Sequence, residues 1–307
     1  FHGYWKTRKA LFEIIKREVP ALVHLNGLTL LLYSKYIRSL NCPLVQHVRE
    51  PLNHGVFGFR KKILQSFARN FPNHIIYISN DNRNPFRNSR GVGTVLYNPV
   101  DLKPATKEKK QIRQSIGIGE DEFTIFFPGG SVFIEKGIIP FLHSLAIINR
   151  ETTNFSAIVP GIDLKAHPKD KVRHKIDGLI QKLELSGLIK RLPFSTNVTD
   201  YYAACDLVVV PFVVPHFSRG AIEAGFMGKP VVASKIEVMS EVVEDRQNGL
   251  LVRPGDASDL AEKIKMFMDD PMLGGKLGEA GLRRSQKDYD AEKYAFRIMA
   301  IYDKVCP

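Results

Sequence analysis

"VVVPFVVPHFSRGAIEAGFMGKPVVAS", residues 208–234, reads as an apolar strand, a polar break, a short helix-like stretch and a second apolar strand. Continuous apolar runs joined by a helical stretch are the pattern of parallel strands covered on both faces. In the middle stands Glu223, between Ile222 and Ala224, in a segment otherwise built for burial. An unpaired buried carboxylate is expensive, so this one needs a partner.

The same strand–helix alternation extends over nearly the whole chain, which predicts βα units around parallel sheets. In the first part, strands are predicted at 21–25, 44–48, 75–79 and 94–97, with helices at about 4–18, 28–40 and 59–70. The polar, proline-marked "NPVDLKPATKEKK" (98–110) reads as a linker. Six more strands follow, at 123–127, 155–159, 188–192, 206–210, 230–234 and 249–252, with helices near 136–150, 167–186, 198–204, 219–228, 256–270, 272–285 and 290–304. The pattern predicts a Rossmann-like domain over 1–101, a complete one over 102–285, and a C-terminal helix at 286–307. The first domain has too few strands and the chain opens at Phe1 with no basic-then-apolar leader, so a fragment lacking its opening βα units is expected. Two such domains facing one another would bind ligands in a cleft at the carboxyl ends of their strands.

The composition is that of an ordinary folded protein, with 44% hydrophobic and 25% charged residues among 307. The longest apolar run, "LVVVPFVVP", is too short and proline-broken to span a bilayer. Cys42, Cys205 and Cys306 are scattered, and the nine histidines lack HExxH spacing, so no disulfide framework or metal site is expected. The net charge of +12 is dispersed, with local clusters at 107–113 and 59–69. No helix-turn-helix, zinc-finger or RNP-like cue accompanies it, which favours a phosphate ligand or membrane surface over nucleic acid.

Two stretches carry candidate chemistry. In "FFPGGSVFIEKG" (126–137), Gly129, Gly130 and Ser131 follow a strand, and Lys136 falls where a helix should begin. Glycines plus a lysine at such a junction suit a phosphate; a tight turn with a solvated lysine is the alternative. In the opening stretch, Ser218-Arg219-Gly220-Ala221 should form a helix's first turn, whose N–H groups favour an anion. Glu223 is expected in that same turn, either as a charge stabilising the helix end or as a carboxylate holding the vicinal hydroxyls of a ribose.

The stretch from 201 to 265, with "GGSVFIEKG", "VLYNPVDL", "IIYISND" and "LVHLNG", resembles the retaining GT-B glycosyltransferases of family 4, in the same order along essentially the whole chain. The resemblance implies two facing Rossmann-like domains and transfer of a sugar from a nucleotide-diphosphate sugar to an acceptor hydroxyl, in surface polysaccharide or glycolipid synthesis. It places Lys136 on the diphosphate, Glu223 on the ribose hydroxyls, the backbone at Gly220 and Ala221 on the distal phosphate, and Leu192, Pro193 and Phe194 near the base. Phe217 and Ser218 complete the donor-side set. No cofactor or metal is implied. Where such enzymes carry an arginine, Ser131 stands here, and Pro215 replaces the first glutamate of the family's pair. His216, Ser218 and Arg219 stand close by instead; His216 and Arg219 are expected to join Lys136 and Glu223 as catalytic residues, Arg219 restoring the missing positive charge. A nucleotide-sugar epimerase or a non-catalytic scaffold of the same fold are the rival readings.

On the acceptor side, "VHLNG" offers His24 and Asn26, and "HVREP" offers His47, Arg49 and Glu50, all at strand ends. A core histidine at position 47 and an Arg49–Glu50 ion pair are the alternatives. The acceptor is expected to be a saccharide or lipid-linked saccharide. The basic amphipathic stretch 56–71 either packs on its own sheet or rests on an anionic membrane. The expected location is cytoplasmic, peripheral on the inner face of a membrane.

Overall fold

A computed structural model of the chain describes residues 2–52, 59–87, 92–130, 133–161, 171–192 and 197–306. It divides into two compact units, 1–99 with 291–307 and 100–290.

In unit 1, α1 (His2–Glu18) precedes β1 (Val23–Asn26), a 3₁₀ turn (Leu28–Tyr33), α2 (Ser34–Ser39), β2 (Leu44–Val48), α3 (Phe59–Asn70), β3 (His74–Tyr77), α4 (Asn80–Arg83) and β4 (Val92–Val95). All four strands are parallel, in the order β1-β2-β3-β4. Helix α3 turns Leu64 and Ala68 onto the sheet while Phe59 and Arg60 face water. The single helix expected over 28–40 is instead a 3₁₀ turn followed by a short α-helix. Gly27 enters the turn at φ 145°, and β-branched Thr29 lowers the helix propensity of its first residues.

Unit 2 opens with α5 (Lys109–Ser115) and β5 (Phe123–Phe126), then α6 (Ile138–Asn149), β6 (Phe155–Pro160), α7 (Lys171–Lys182), β7 (Ile189–Leu192), α8 (Thr199–Ala204) and β8 (Leu207–Val210). There follow α9 (Arg219–Phe226), β9 (Val231–Ser234), α10 (Glu237–Ser240), β10 (Leu250–Val252), α11 (Ala257–Asp269) and α12 (Pro271–Asp288). The last helix, α13 (Ala291–Val305), belongs to unit 1, where Ile301 and Tyr302 pack on Val45, Ile76 and Leu96.

The six parallel strands of unit 2 lie in the order β7-β6-β5-β8-β9-β10. Strand β8 is buried along its whole length, as its unbroken Leu-Val-Val-Val run requires of a central parallel strand. Ile125, Phe127, Val209 and Ile264 share one core with Phe141 of α6. Helices α9, α11 and α12 start where side chains meet their first free N–H groups, from Ser218, Asp256 and Asp270 respectively.

The stretch expected to be a linker, 98–110, is tied down. Thr106 donates through N and Oγ1 to Asp200, both at 2.7 Å, and Lys109 pairs with Asp206 at 2.6 Å. The linker also ends in α5, because Ile112 and Arg113 find burial there. Arg113 donates to the carbonyls of Ala204, Glu120 and Glu122 and pairs with Asp206 at 2.6 Å.

Candidate functional site

The order of the second sheet decides where a ligand fits. Strand β5 is paired to β6 on one side and to β8 on the other, with Ile125 opposite Leu207 and Phe126 opposite Val208. The chain leaves β5 towards one flank and β8 towards the other, which makes a topological switch point, and ligands bind outside the carboxyl ends of the strands there. Both candidate stretches of the sequence emerge at this point.

The structure brings them into contact three times. Gly220, in the first turn of α9, lies against Pro128: a Cβ there would come within 2.8 Å of the proline Cγ. Gly137 lies against the Pro211 carbonyl, which a Cβ would meet at 1.8 Å. Val213 N–H donates to the Glu135 carbonyl at 3.0 Å.

Lys136 does not begin a helix. It closes a 3₁₀ turn, Ile134–Lys136, and α6 starts at Ile138 after Gly137 adopts φ 83°. A left-handed residue cannot lie inside an α-helix, so the lysine is held in the loop over the sheet rather than along a helix face. Its ammonium rests 4.6 Å from the centre of the Phe133 ring. Gly129 and Gly130 are buried behind this turn, and Gly129 has room for no Cβ beside Phe127. His216, in the loop after β8, has its imidazole held below the usual range, first by desolvation and then by Lys136, with Glu135 opposing. It is therefore neutral at pH 7, and its ring packs 5.6 Å from that of Phe212.

Ser218 caps α9, its Oγ accepting from Ala221 N–H at 3.3 Å. That N–H, expected to be open to a ligand, is already engaged. Glu223 is the fifth residue of α9, not part of its first turn, because the helix begins only at Arg219. The helix-end explanation for its charge therefore fails. Its partners are local. Arg219 reaches Oε1 at 3.2 Å from the preceding turn, and the Tyr202 hydroxyl donates to Oε2 at 2.9 Å. The carboxylate is buried, with the residue only 8% exposed. Tyr202 went unrecognised in the sequence: "YYAACD" in α8 shows two tyrosines at successive positions, and nothing local tells which one meets Glu223.

Leu192 ends β7, two strands from β5, roughly 10 Å away at about 4.8 Å per strand. Phe217 lies immediately before the Ser218 cap. Ser131, Pro193 and Phe194 fall outside the described residues.

In unit 1 the five acceptor-side candidates separate into different roles. His47 is buried within β2, and burial, then Arg49 and His24, push its imidazole down to about 3. His24 lies beside it, ring centres 5.5 Å apart, with Nδ1 2.6 Å from the Tyr302 hydroxyl of α13. Desolvation, then Arg49, also holds the His24 imidazole below the usual range. Nε2 of each histidine is buried without a hydrogen-bond partner. Glu50 accepts from Leu28 N–H at 2.7 Å and so holds the start of the 3₁₀ turn, while Arg49 reaches Asn26 at 3.2 Å and Asn98 at 2.8 Å. The alternative of an Arg49–Glu50 pair is thus replaced by two separate attachments. Asn26 and Arg49 remain exposed at the strand ends.

Among the described residues, no cluster of three or more His, Cys, Asp or Glu side chains could hold a metal ion. None of their helices is long and apolar enough to cross a membrane.

Known proteins share this architecture. Anabaena Alr3699/HepE, solved in complex with UDP, superposes with a TM-score of 0.86 at 22% identity, over 97% of this chain and 82% of that one. Sucrose-phosphate synthase from Thermosynechococcus elongatus gives 0.82 at 21%, over 98% and 77%. The fold is accordingly the mixed α/β, parallel-sheet fold of GT-B glycosyltransferases. In sequence, the lipopolysaccharide core biosynthesis mannosyltransferase LpsB of Rhizobium meliloti (strain 1021) is 27% identical over 220 residues, 69% of this chain and 61% of its own length. The MMP alpha-(1->4)-mannosyltransferase of Mycolicibacterium hassiacum is 26% identical over 175 residues, 55% of this chain and 40% of that protein. The chain thus spans about three-fifths or less of these curated relatives. The profile of the family described as Glycosyl transferases group 1 matches residues 108–284, more than half of the chain, and the chain belongs to that family.

Proposed function

We propose that this protein moves a sugar, with retention at the anomeric carbon, from a nucleotide-diphosphate sugar to an acceptor hydroxyl in surface polysaccharide or glycolipid synthesis. The observation that carries the reading is the junction at the β5–β8 switch point. There the Lys136 turn and the first turn of α9 are locked together through Pro128, Gly220, Pro211 and Gly137. A cation from one stretch, with a helix N-terminus and a buried carboxylate from another packed against it, match a diphosphate joined to a pentose.

In this reading Lys136 and the N–H groups at the start of α9 meet the negative charge that grows on the departing diphosphate. Interactions that strengthen as the bond breaks lower the barrier, so these groups carry much of the acceleration. The leaving phosphate oxygen takes the acceptor's proton, and the fixed positive groups take the place of a metal ion. Glu223 holds the ribose hydroxyls, and Leu192 borders the base. Solved relatives of similar fold were crystallised with UDP and UDP-glucose, and curated relatives are mannosyltransferases, which supports a nucleotide-sugar donor and a saccharide acceptor. Asn26 and Arg49, exposed at the ends of β1 and β2, are the acceptor-side residues this reading retains. A peripheral place on the cytoplasmic face of a membrane, where lipid-linked acceptors reside, belongs to the same proposal and draws on the exposed basic face of α3.

A donor screen on the full-length protein, reading released nucleoside diphosphate with and without saccharide acceptors, tests it. Acceptor-dependent release from one nucleotide sugar is expected; no release from any donor would count decisively against transfer.

A further inference from the structure

The two partners of Glu223 differ in kind. Arg219 comes from the surface: its side chain is 64% exposed, and it pairs with the carboxylate one turn along the same helix. Its guanidinium lies in water and withdraws without stranding a buried charge of its own, whereas the Glu223 side chain is only 11% exposed. Tyr202 is wholly buried, its ring packed edge-on to Phe126 with centres 4.8 Å apart. Its hydroxyl donates to Glu223 Oε2 and lies 3.1 Å from the Gly220 carbonyl. Burial, then the neighbouring Glu223 charge, push the Tyr202 phenol well above its usual range, so it remains a donor at any working pH.

Resting on the assignment of Glu223 to the pentose, we infer that Tyr202 is the positioning residue that holds this carboxylate when the site fills, and that Arg219 is the partner that leaves. An ionised carboxylate has about four acceptor positions. Tyr202 occupies one and Arg219 another; departure of the arginine leaves three, so two vicinal hydroxyls are accepted with one position to spare and without a guanidinium across the Oε1 face. The same movement frees a guanidinium at the start of α9 for the anionic ligand. A carboxylate held by a fixed hydroxyl meets the diol without first being ordered, which is where preorganisation raises affinity.

The test is calorimetric titration of the full-length protein with uridine and guanosine diphosphates and their 2′,3′-dideoxy counterparts. The unaltered protein is expected to prefer the ribose form of the nucleotide it binds by about tenfold or more, the scale of a hydrogen bond to a charged group. Tyr202→Phe should reduce that preference to about twofold while leaving affinity for the dideoxy form in place. Glu223→Gln should do the same, and the double variant should lose nothing further, because the tyrosine acts through the carboxylate. A merely structural tyrosine would weaken both nucleotides alike. If Tyr202→Phe keeps the full preference and Glu223→Gln abolishes it, the inference is overturned while the pentose assignment stands. If Glu223→Gln also keeps it, the pentose assignment falls and takes the inference with it. Should Tyr202→Phe not fold, a crystal structure of the unaltered protein with nucleoside diphosphate decides. Tyr202 still on Glu223 with Arg219 withdrawn supports the inference; Glu223 parted from Tyr202 refutes it.

Discussion

Gly220 and Pro128 touch, although they are far apart in sequence: the first turn of α9 lies directly on the loop that leaves β5. This contact makes one site out of two stretches. A side chain at 220 must push either the proline ring or the helix aside, and overpacking of this kind costs about 1–3 kcal/mol. Gly220→Val is expected to lower the urea unfolding free energy by that amount and to weaken nucleoside diphosphate binding more than tenfold. Unchanged affinity would show that the two stretches act independently.

Gly137 is more constrained still, since it combines φ 83° with the Pro211 carbonyl in the space of a Cβ. Gly137→Ala should lower the melting temperature by about 10 °C, through strain and a forced backbone shift together. A scanning calorimetry trace matching that of the unaltered protein would contradict this.

Lys136→Ala and Glu223→Ala are each expected to reduce transfer by about 10²–10³-fold, with far-ultraviolet circular dichroism unaltered. Lys136 is half-buried in a turn that has no buried residue, so its loss removes charge and little packing. Near-normal turnover in either variant would argue against the proposed roles.

Asp206 sets part of the acid stability. Burial opposes its ionised form, but Lys109, the Thr124 N–H and Arg113 outweigh that and hold its carboxyl below the usual range. The unfolded chain therefore binds this proton more readily than the folded one, and the stabilisation present above about pH 4 is lost as the pH falls through the folded value. Asp206→Asn should flatten the acid limb of a stability–pH curve. Arg113→Met, which takes one of three partners from Asp206 and the donor from three carbonyls, should cost about 3–5 kcal/mol at neutral pH.

His47 is expected to stay neutral from pH 5 to 8, seen as ring resonances that do not titrate. With the folded imidazole pushed down to about 3 and the unfolded one titrating near 6.5, stability falls as the pH drops below about 6.5. His47→Gln should lessen that fall, and a ring titrating near pH 6.5 would place His47 in solvent instead.

Every strand predicted from an apolar run is present within a residue or two, as "LVVV" and "HIIY" illustrate. Burial on both faces writes itself into local composition, and so do caps such as Ser218 and Asp256. The short helices Asn80–Arg83 and Glu237–Ser240 were not legible, since a single turn leaves no period to read. The start of α6 was misplaced by two residues because Gly137 resembles any other loop glycine until Pro211 is seen beside it.

The site divides in the same way. Lys136, Gly129, Gly220 and Glu223 stand out from the chain alone, because glycines and charges at strand ends are local signals. That β5 lies beside β8, that Tyr202 rather than Tyr201 meets Glu223, and that His24 and His47 lie beneath α13 were decided only by tertiary structure. Parallel strands are joined by crossovers, so their neighbours are chosen by packing between distant segments. A strand's own residues carry the need to be buried, but not the identity of what buries it.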